Sequence, residues 1–198
     1  LVDCVGYMVD SAVGQFEDLS PRMVMTPWFD HEIPMTEAAE IGTRKVITDH
    51  ATVGIVVTTD GTITDIPRED YREAEERVIR ELQDIGKPFV VLVNSAQPED
   101  PRAAAAAAEI QTRYGVTCRC VNCLTLTEED IGDILQDLLY QFPLRELDVF
   151  LPEWVDALPG EHPIRSGLYQ EIGEAASQLT RICALPPCLA ALSQGENI

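Results

Sequence analysis

The sequence has few basic residues. Of its 198 residues, 14 are Lys or Arg and 34 are Asp or Glu, which gives a formal net charge of −20. A broad nucleic-acid interface needs clustered Lys and Arg to displace counterions, and an anionic membrane surface attracts the same side chains. We therefore expect no nucleic-acid partner and no binding to anionic membranes. Any phosphate that the chain binds must be held locally, by backbone amides, a metal ion and a few cations.

Long apolar runs are also missing, since no stretch approaches the ~20 residues that span a bilayer. We therefore expect no transmembrane segment. The chain does not begin with Met, and its first residues already have the pattern of a strand, so we expect it to start inside a longer protein. The six cysteines are too sparse for the disulfide framework of a small secreted domain, which favours reduced thiols. Cys118, Cys120 and Cys123 lack the second ligand pair that a structural zinc site usually has.

Strand and helix patterns alternate along the first two thirds of the chain. Nearly unbroken apolar runs predict buried strands at residues 1–6, 53–59, 89–94 and 116–121. A helix is predicted over residues 37–50 with Thr36 as its N-cap. Further helices are predicted after Pro67 with Gly86 just past the end, after the Asp100-Pro101 pair, and after the Thr127-x-x-Asp130 capping pattern. This alternation predicts an α/β fold with a mostly parallel sheet and flanking helices.

Polar residues end each predicted strand. They are Asp3, then Thr58, Thr59 and Asp60, then Asn94 and Ser95, and finally Asn122 and Cys123. Right-handed crossovers place the carboxyl ends of parallel strands at one edge of the sheet, where α/β proteins bind their ligands. The sequence therefore predicts a single binding site at this edge.

Asp3 and Gly6 suggest what this site binds. An aspartate after a buried strand, followed three residues later by glycine, resembles a Walker B strand with an Asp-x-x-Gly turn. Such an aspartate holds a Mg²⁺ ion carried by nucleotide phosphates, and glycine lets the backbone approach the terminal phosphate. The alternative is that Asp3 only forms a turn or caps a helix.

A phosphate-binding Gly-x-x-x-x-Gly-Lys-Ser/Thr motif is absent. Gly86-Lys87 is followed by Pro88 and lies between a helix and a strand, the wrong context for such a loop. If Asp3 is a Walker B residue, the phosphate loop precedes residue 1.

Residues 94–97, Asn-Ser-Ala-Gln, occupy the place where GTPases carry Asn-Lys-x-Asp. The aspartate of that motif accepts hydrogen bonds from guanine, and Gln97 replaces it here, which predicts ATP or a loss of preference for GTP. The alternative is that Asn94 only caps a turn.

Three strings of residues resemble one family closely: 23–30 (MVMTPWFD), 37–49 (EAAEIGTRKVITD) and 56–76 (VVTTDGTITDIPREDYREAEE). They are similar to the stage IV sporulation protein A family of spore-coat ATPases. The resemblance implies a GTPase-like, TRAFAC-type P-loop fold that binds ATP and Mg²⁺. It matches Asp3 to the Walker B aspartate that holds Mg²⁺, Gly6 to the Asp-x-x-Gly turn, and Asn94 to a base-contacting residue. With the other polar strand ends, it predicts that Asn94, Ser95 and Asn122 bind the nucleotide.

The resemblance also implies a domain plan and a biological setting. Residues 1–143 are expected to be the later part of the ATPase domain, without its Walker A region, and residues 144–198 the start of a middle domain. ATP hydrolysis is expected to drive self-assembly into the basement layer of the spore coat. The partners would be other copies of the protein and other coat and forespore-surface proteins, in the mother-cell cytoplasm at the outer surface of the forespore. Two alternatives stay open: a GTPase-type regulatory switch, and a structural coat protein with a vestigial nucleotide site.

Overall fold

The structure is a computed structural model that describes residues 2–9, 11–18 and 20–193. Its helices and strands, in chain order, are β1 (Phe16–Glu17), β2 (Ser20–Pro21), β3 (Met23–Val24), β4 (Ile33–Pro34), α1 (Met35–Lys45), β5 (Gly54–Thr59), α2 (Arg72–Asp84), β6 (Phe89–Asn94), α3 (Pro101–Tyr114), β7 (Cys118–Val121), α4 (Glu128–Leu139), α5 (Glu153–Ala157), α6 (Pro163–Ser177) and α7 (Leu185–Leu192). A π-helical turn extends α1 to His50, and a 3₁₀ turn at Arg68–Tyr71 leads into α2. Within these ranges, no helix is both long and apolar enough to cross a membrane.

The main sheet has three parallel strands in the order β5-β6-β7. Its register pairs Val56 with Val91 and Val93 with Cys120. The apolar residues of the central strand β6 are all buried, because helices cover both faces of a parallel sheet. The predicted α/β fold with a parallel sheet and flanking helices is confirmed for these strands.

Two clusters of apolar side chains form the core, one on each face of the sheet. On one face, α2 and α3 contribute Ile79, Leu82 and Ile110 against Val91 and Val93. On the other face, α4 contributes Ile134 and Leu138 against Val90, Leu92 and Val121. The two clusters hold β6 in place, and the position of β6 fixes the polar residues that follow it.

The ends of the helices around the sheet follow the sequence signals. The Asp100 side chain accepts a hydrogen bond from the Arg102 amide at 2.8 Å, which caps the start of α3. The capping box of α4 is also present, with Asp130 accepting from the Thr127 amide at 2.8 Å and Thr127 accepting from the Asp130 amide at 3.2 Å. Gly86, just past α2, adopts φ +67° as a left-handed terminator does.

Two sequence predictions about the first part of the chain are wrong. Residues 2–6 form no strand, and Leu1 lies outside the described residues. A strand needs a neighbour that supplies its hydrogen bonds, and this segment instead packs beside α1, where the Gly6 amide donates to Thr43 Oγ1 at 3.0 Å. Thr36 does not cap α1, because the helix begins at Met35 and Pro34 holds the capping position.

The chain forms two compact units, one up to Leu138 and one from Leu139 onward. In the second unit, Pro143 forms an antiparallel bridge with Arg181, and α6 begins at Pro163 with the His162 ring capping the Ile164 amide. The proposed division into domains 1–143 and 144–198 stays a prediction.

Candidate functional site

The polar residues that follow β5, β6 and β7 meet at one edge of the sheet. Ser95 Oγ donates a hydrogen bond to Asp60 Oδ2 at 2.7 Å, which joins the ends of β5 and β6. The Cys123 amide donates to Asn94 Oδ1 at 3.0 Å, which joins the ends of β6 and β7. The structure therefore brings together three of the four strand ends that the sequence pattern predicted to meet.

Segment 94–97 (residues 94–97) lies at the centre of this edge, and the β5 side holds it through Asp60. Asp60 Oδ1 accepts hydrogen bonds from the Thr62 amide at 3.0 Å and from Thr62 Oγ1 at 2.6 Å. Thr62 Oγ1 in turn accepts from the Ala96 amide at 2.9 Å, and Ser95 Oγ accepts from the Gln97 amide at 3.1 Å. Burial opposes the ionisation of Asp60, but the hydrogen bonds from Thr62 and Ser95 hold its pKa below the ordinary value.

The β7 side holds the same segment through Asn122. The Asn122 Nδ2 amide group donates to the Ala96 carbonyl at 3.3 Å, and Asn122 Oδ1 accepts from the Leu124 amide at 3.0 Å. Segment 94–97 is therefore fixed from both neighbouring strand ends, as a rigid binding loop should be.

The three predicted nucleotide-binding residues at this edge differ in what they offer a ligand. Asn94 is half-buried, and because Cys123 occupies its Oδ1 atom, its Nδ2 group is the part that remains for a ligand. Ser95 is completely buried and already bonded to Asp60. Asn122 is half-buried and uses both ends of its side chain to hold the loops. Gln97, which the sequence pattern matches to the base-selecting aspartate of GTPases, is exposed.

Asp3 and Gly6 lie elsewhere in the first unit. Asp3 lines an apolar groove of about 420 Å³ whose other walls include Trp28, Gly42 and His50, and none of its lining residues follows β5, β6 or β7. Gly6 adopts φ +81°. Among the described contacts, none joins Asp3 or Gly6 to Asn94, and the roles of all three residues stay predictions.

Tyr7 connects residues 2–9 to α2 through a hydrogen bond and a ring contact. Its hydroxyl donates to Glu81 Oε2, and the Arg77 guanidinium lies 4.3 Å from the centre of its ring. Arg77 also forms a two-point ion pair with Glu40, at 2.7 and 2.8 Å, which links α2 to α1. Burial and the neighbouring Glu81 raise the pKa of Tyr7, so the phenol stays protonated and serves as a donor.

The role of Asp3 as a Mg²⁺ ligand stays a prediction. Nucleotide-bound Mg²⁺ needs only one or two protein carboxylates, because phosphates and waters supply the other ligands. In the described ranges, however, no group of three or more His, Cys, Asp or Glu side chains could hold a metal ion. The Gly6 amide, which would face a phosphate in an Asp-x-x-Gly turn, is occupied by Thr43. An exposed carboxylate such as Asp3 is a ligand that Mg²⁺ accepts, so Asp3 fits this role, whereas the Gly6 amide could face a phosphate only after it leaves Thr43.

Sequence reasoning treated Asp60 as one polar strand end among several and did not identify its role. The string Thr59-Asp60-Gly61-Thr62 carries the signal of a turn in which an aspartate accepts from the amide two residues later. That local signal predicts the bond to Thr62. The bond to Ser95, 35 residues away, could not be predicted from it.

Gly61 makes the turn after β5 possible, and replacing it with alanine should destabilise the first unit. Its φ is +89°, and an added Cβ would lie 3.1 Å from the Arg68 backbone nitrogen. We expect Gly61→Ala to lower the free energy of unfolding by about 1–3 kcal/mol, measured by urea denaturation. Gly132→Ala is the matched control, because an added Cβ there meets nothing within 4 Å in α4 and should stabilise by about 0.5–1 kcal/mol. Equal effects of the two changes would contradict this account of the turn.

Comparisons with known proteins agree with one another. The family model described as "Stage IV sporulation protein A, ATPase domain" matches residues 1–143. Stage IV sporulation protein A of Bacillus subtilis (strain 168) is 42% identical over all 198 residues, and the match covers 40% of that protein. The Bacillus anthracis protein of the same name gives the same identity and coverage. The Clostridioides difficile (strain 630) protein is 41% identical over 182 residues, which are 92% of this chain and 37% of that protein. No solved structure matches the chain.

Proposed function

Because the chain belongs to the stage IV sporulation protein A family, we propose that residues 1–143 are the base-binding part of an ATP-hydrolysing P-loop domain of the GTPase-like, TRAFAC type. Residues 144–198 would begin a middle domain. The chain spans about 40% of the length of the relatives that it matches, so hydrolysis is proposed for the complete protein. There it drives self-assembly into the basement layer of the spore coat, with other coat and forespore-surface proteins as partners, on the mother-cell side of the forespore.

The observation that carries this proposal is the arrangement of segment 94–97. The Oδ1 atom of Asn94 is held by the Cys123 amide, which leaves the Nδ2 group to donate to N7 of a purine base. Gln97 lies three residues further on and is exposed. A carboxylate at that position would pair with the N1–H and amino group of guanine, and Gln97 lacks the charge. The segment is therefore suited to an adenine nucleotide.

Ser95 and Asn122 act on the nucleotide through the loop in this proposal. Ser95 is enclosed and holds the Gln97 amide, and Asn122 holds the Ala96 carbonyl. Asp3 and Gly6 are the proposed Mg²⁺ ligand and phosphate-facing turn, on the strength of the family resemblance and the Asp-x-x-Gly spacing. Mg²⁺, once bound with ATP, would neutralise charge on the phosphates.

The experiment that tests the ATPase proposal is phosphate release by the complete protein. We expect ATP to be hydrolysed faster than GTP, and Asp3→Asn to slow ATP turnover at least about tenfold, because removing a metal-binding carboxylate removes electrostatic stabilisation of the transferring phosphate. Asp30→Asn is the matched control, an exposed aspartate whose loss should leave turnover unchanged. An Asp3→Asn protein with normal turnover would refute the role of Asp3.

Phosphate release, together with sedimentation of the polymer, separates the ATPase proposal from the two alternative functions. A GTPase-type switch predicts selective GTP turnover without polymer formation. A structural coat protein with a vestigial site predicts assembly that proceeds equally well without nucleotide or Mg²⁺, which sedimentation of the polymer would detect. The exposed Gln97 favours the ATPase over the first alternative.

A further inference from the structure

Asp60 controls the geometry of segment 94–97 through two hydroxyl groups. The amides of Ala96 and Gln97 donate to Thr62 Oγ1 at 2.9 Å and to Ser95 Oγ at 3.1 Å. Both hydroxyls donate their own protons to Asp60, Thr62 to Oδ1 at 2.6 Å and Ser95 to Oδ2 at 2.7 Å. Each of these two amides is therefore connected to the carboxylate through one hydroxyl.

The Thr62 and Ser95 hydroxyls together need two acceptor oxygens, and an ionised carboxylate at position 60 provides both. A hydroxyl has a single proton, and it can accept from an amide in a fixed direction when that proton is engaged elsewhere. An ionised aspartate offers two acceptor oxygens, so it takes both protons at once and turns both hydroxyls toward the amides of segment 94–97. An asparagine offers one acceptor oxygen and one donor group, so it can satisfy only one of the two hydroxyls. The bonds to a charged acceptor are also stronger than neutral ones.

Burial makes this arrangement rigid. Ser95 is completely buried between the ends of β5 and β6, so no water replaces a lost bond to its hydroxyl. On the far side, Asn122 and Cys123 already fix the Ala96 carbonyl and the Asn94 side chain. The Gln97 carbonyl accepts a hydrogen bond from the Asp100 amide at 3.0 Å, so the Gln97 amide is the part of this residue's backbone that depends on the Asp60 side.

From this geometry we infer that Asp60 is a positioning residue that sets nucleobase selectivity, by fixing the backbone at Gln97 through Thr62 and Ser95. This inference rests on the proposed function, because segment 94–97 is taken to contact the base. Asp60 itself touches neither base nor phosphate in this account. Its loss should raise the KM for ATP and weaken discrimination against GTP, while turnover at saturating ATP stays close to normal.

The test uses Asp60→Asn in the complete protein, with Asp65→Asn as the matched control in the same loop, where the aspartate is exposed. Thr62→Val is a second variant that removes only one of the two hydroxyls. We expect Asp60→Asn to raise the KM for ATP and to lower the ratio of ATP to GTP affinity, each by about tenfold, which is the effect of losing one hydrogen bond. The kcat should change little. Asp65→Asn should behave as the wild type.

Hydrogen exchange separates this inference from the proposed function, because it needs no nucleotide. In the ligand-free protein, the Gln97 amide should exchange at least about tenfold faster in Asp60→Asn, and the Ala96 amide should do so in Thr62→Val. Unchanged exchange would overturn the positioning role, as would faster exchange together with unaltered nucleotide preference. If the wild-type protein bound no nucleotide, the proposed function would fail. The exchange experiment would still test the inference in that case, because unchanged exchange in Asp60→Asn would show that Asp60 does not fix the backbone of segment 94–97.

Discussion

Replacing Glu75 with leucine is expected to lower the free energy of unfolding by about 3–5 kcal/mol. Glu75 lies on α2 and forms an ion pair with Arg68, whose Nη2 donates to Oε1 at 2.9 Å while Nη1 lies 2.8 Å from Oε2. The two side chains are only 11% and 4% exposed, for Arg68 and Glu75 respectively. Removing the carboxylate leaves the guanidinium buried without a counter-charge, which is why the expected loss is large.

The ion pair between Arg68 and Glu75 leaves two buried polar atoms without a hydrogen bond, and a double replacement tests what this costs. Arg68 Nε has no hydrogen-bond partner among the described residues, and Oε2 of Glu75 is close to Nη1 but not aligned for a hydrogen bond. A buried ion pair with unsatisfied atoms is often no more stable than an apolar pair of similar volume. We therefore expect the double replacement Arg68→Met with Glu75→Leu to recover most of the loss, to within about 1 kcal/mol of the wild type.

Urea denaturation followed by circular dichroism measures both parts. Glu109→Leu is the matched control, because Glu109 pairs with Arg72 at 3.2 Å where both side chains are more than 40% exposed. Such an exposed pair contributes only about 0–1 kcal/mol. A Glu75→Leu protein no less stable than Glu109→Leu would show that burial does not strengthen the pair. A double variant as unstable as the single one would show that the lost charge is not the cause.

Changing Gln97 to aspartate should shift the preference of the complete protein toward GTP by about a hundredfold. A carboxylate at this exposed position can accept two hydrogen bonds from guanine, from N1–H and from the amino group, whereas adenine presents the lone pair of its N1 atom to the same carboxylate. Readout by hydrogen bonds discriminates more strongly than shape does, because the wrong base leaves polar groups unpaired. The ratio of the dissociation constants for ATP and GTP is the quantity to measure.

Gln97→Asn is the control for this change, since asparagine matches aspartate in size and lacks its charge. The asparagine variant should keep the ATP preference, and the aspartate variant should lose it. If both variants shifted equally, side-chain length rather than charge would set the preference. If neither shifted, segment 94–97 would not contact the base.

The sequence predicted the parts of the fold that depend on local signals. The bounds of β6 match the predicted strand at both ends, and the caps at Asp100, Thr127 and Gly86 are where the residue types indicated. Each of these signals involves residues within a few positions of one another. Local physical chemistry is sufficient to predict them.

Helical periodicity was less reliable for the buried face of α2. The helical spacing of Val78, Leu82 and Ile85 predicts a buried stripe that ends at Ile85, but Ile85 is 41% exposed, and Ile79, which lies outside this spacing, is fully buried. Glu75 lies on the same buried stripe as Ile79 and Leu82, although a glutamate there reads as a solvent-facing residue. Its burial depends on Arg68 in the preceding turn, and spacing alone does not reveal that partner.

The sequence likewise predicted one part of the candidate site correctly and another part wrongly. The polar residues after β5, β6 and β7 were predicted to share an edge, and they do, because the carboxyl ends of parallel neighbouring strands lie at the same edge of a sheet. Within the strand predicted at residues 1–6, residues 2–6 form no strand, because an apolar run becomes a strand only beside another strand. The roles of Asp3 and Asn94 in nucleotide binding both stay predictions.

The central claim is that an adenine base binds at segment 94–97, and photolabelling of the complete protein with 8-azido-ATP tests it most directly. Trypsin cleaves after Arg80 and Arg102 but not between Lys87 and Pro88, so one peptide, residues 81–102, carries the segment. The account predicts that label appears in this peptide and is competed away by ATP more effectively than by GTP. Label confined to the peptides that form the groove beside Asp3, or label that ATP does not displace, would contradict it.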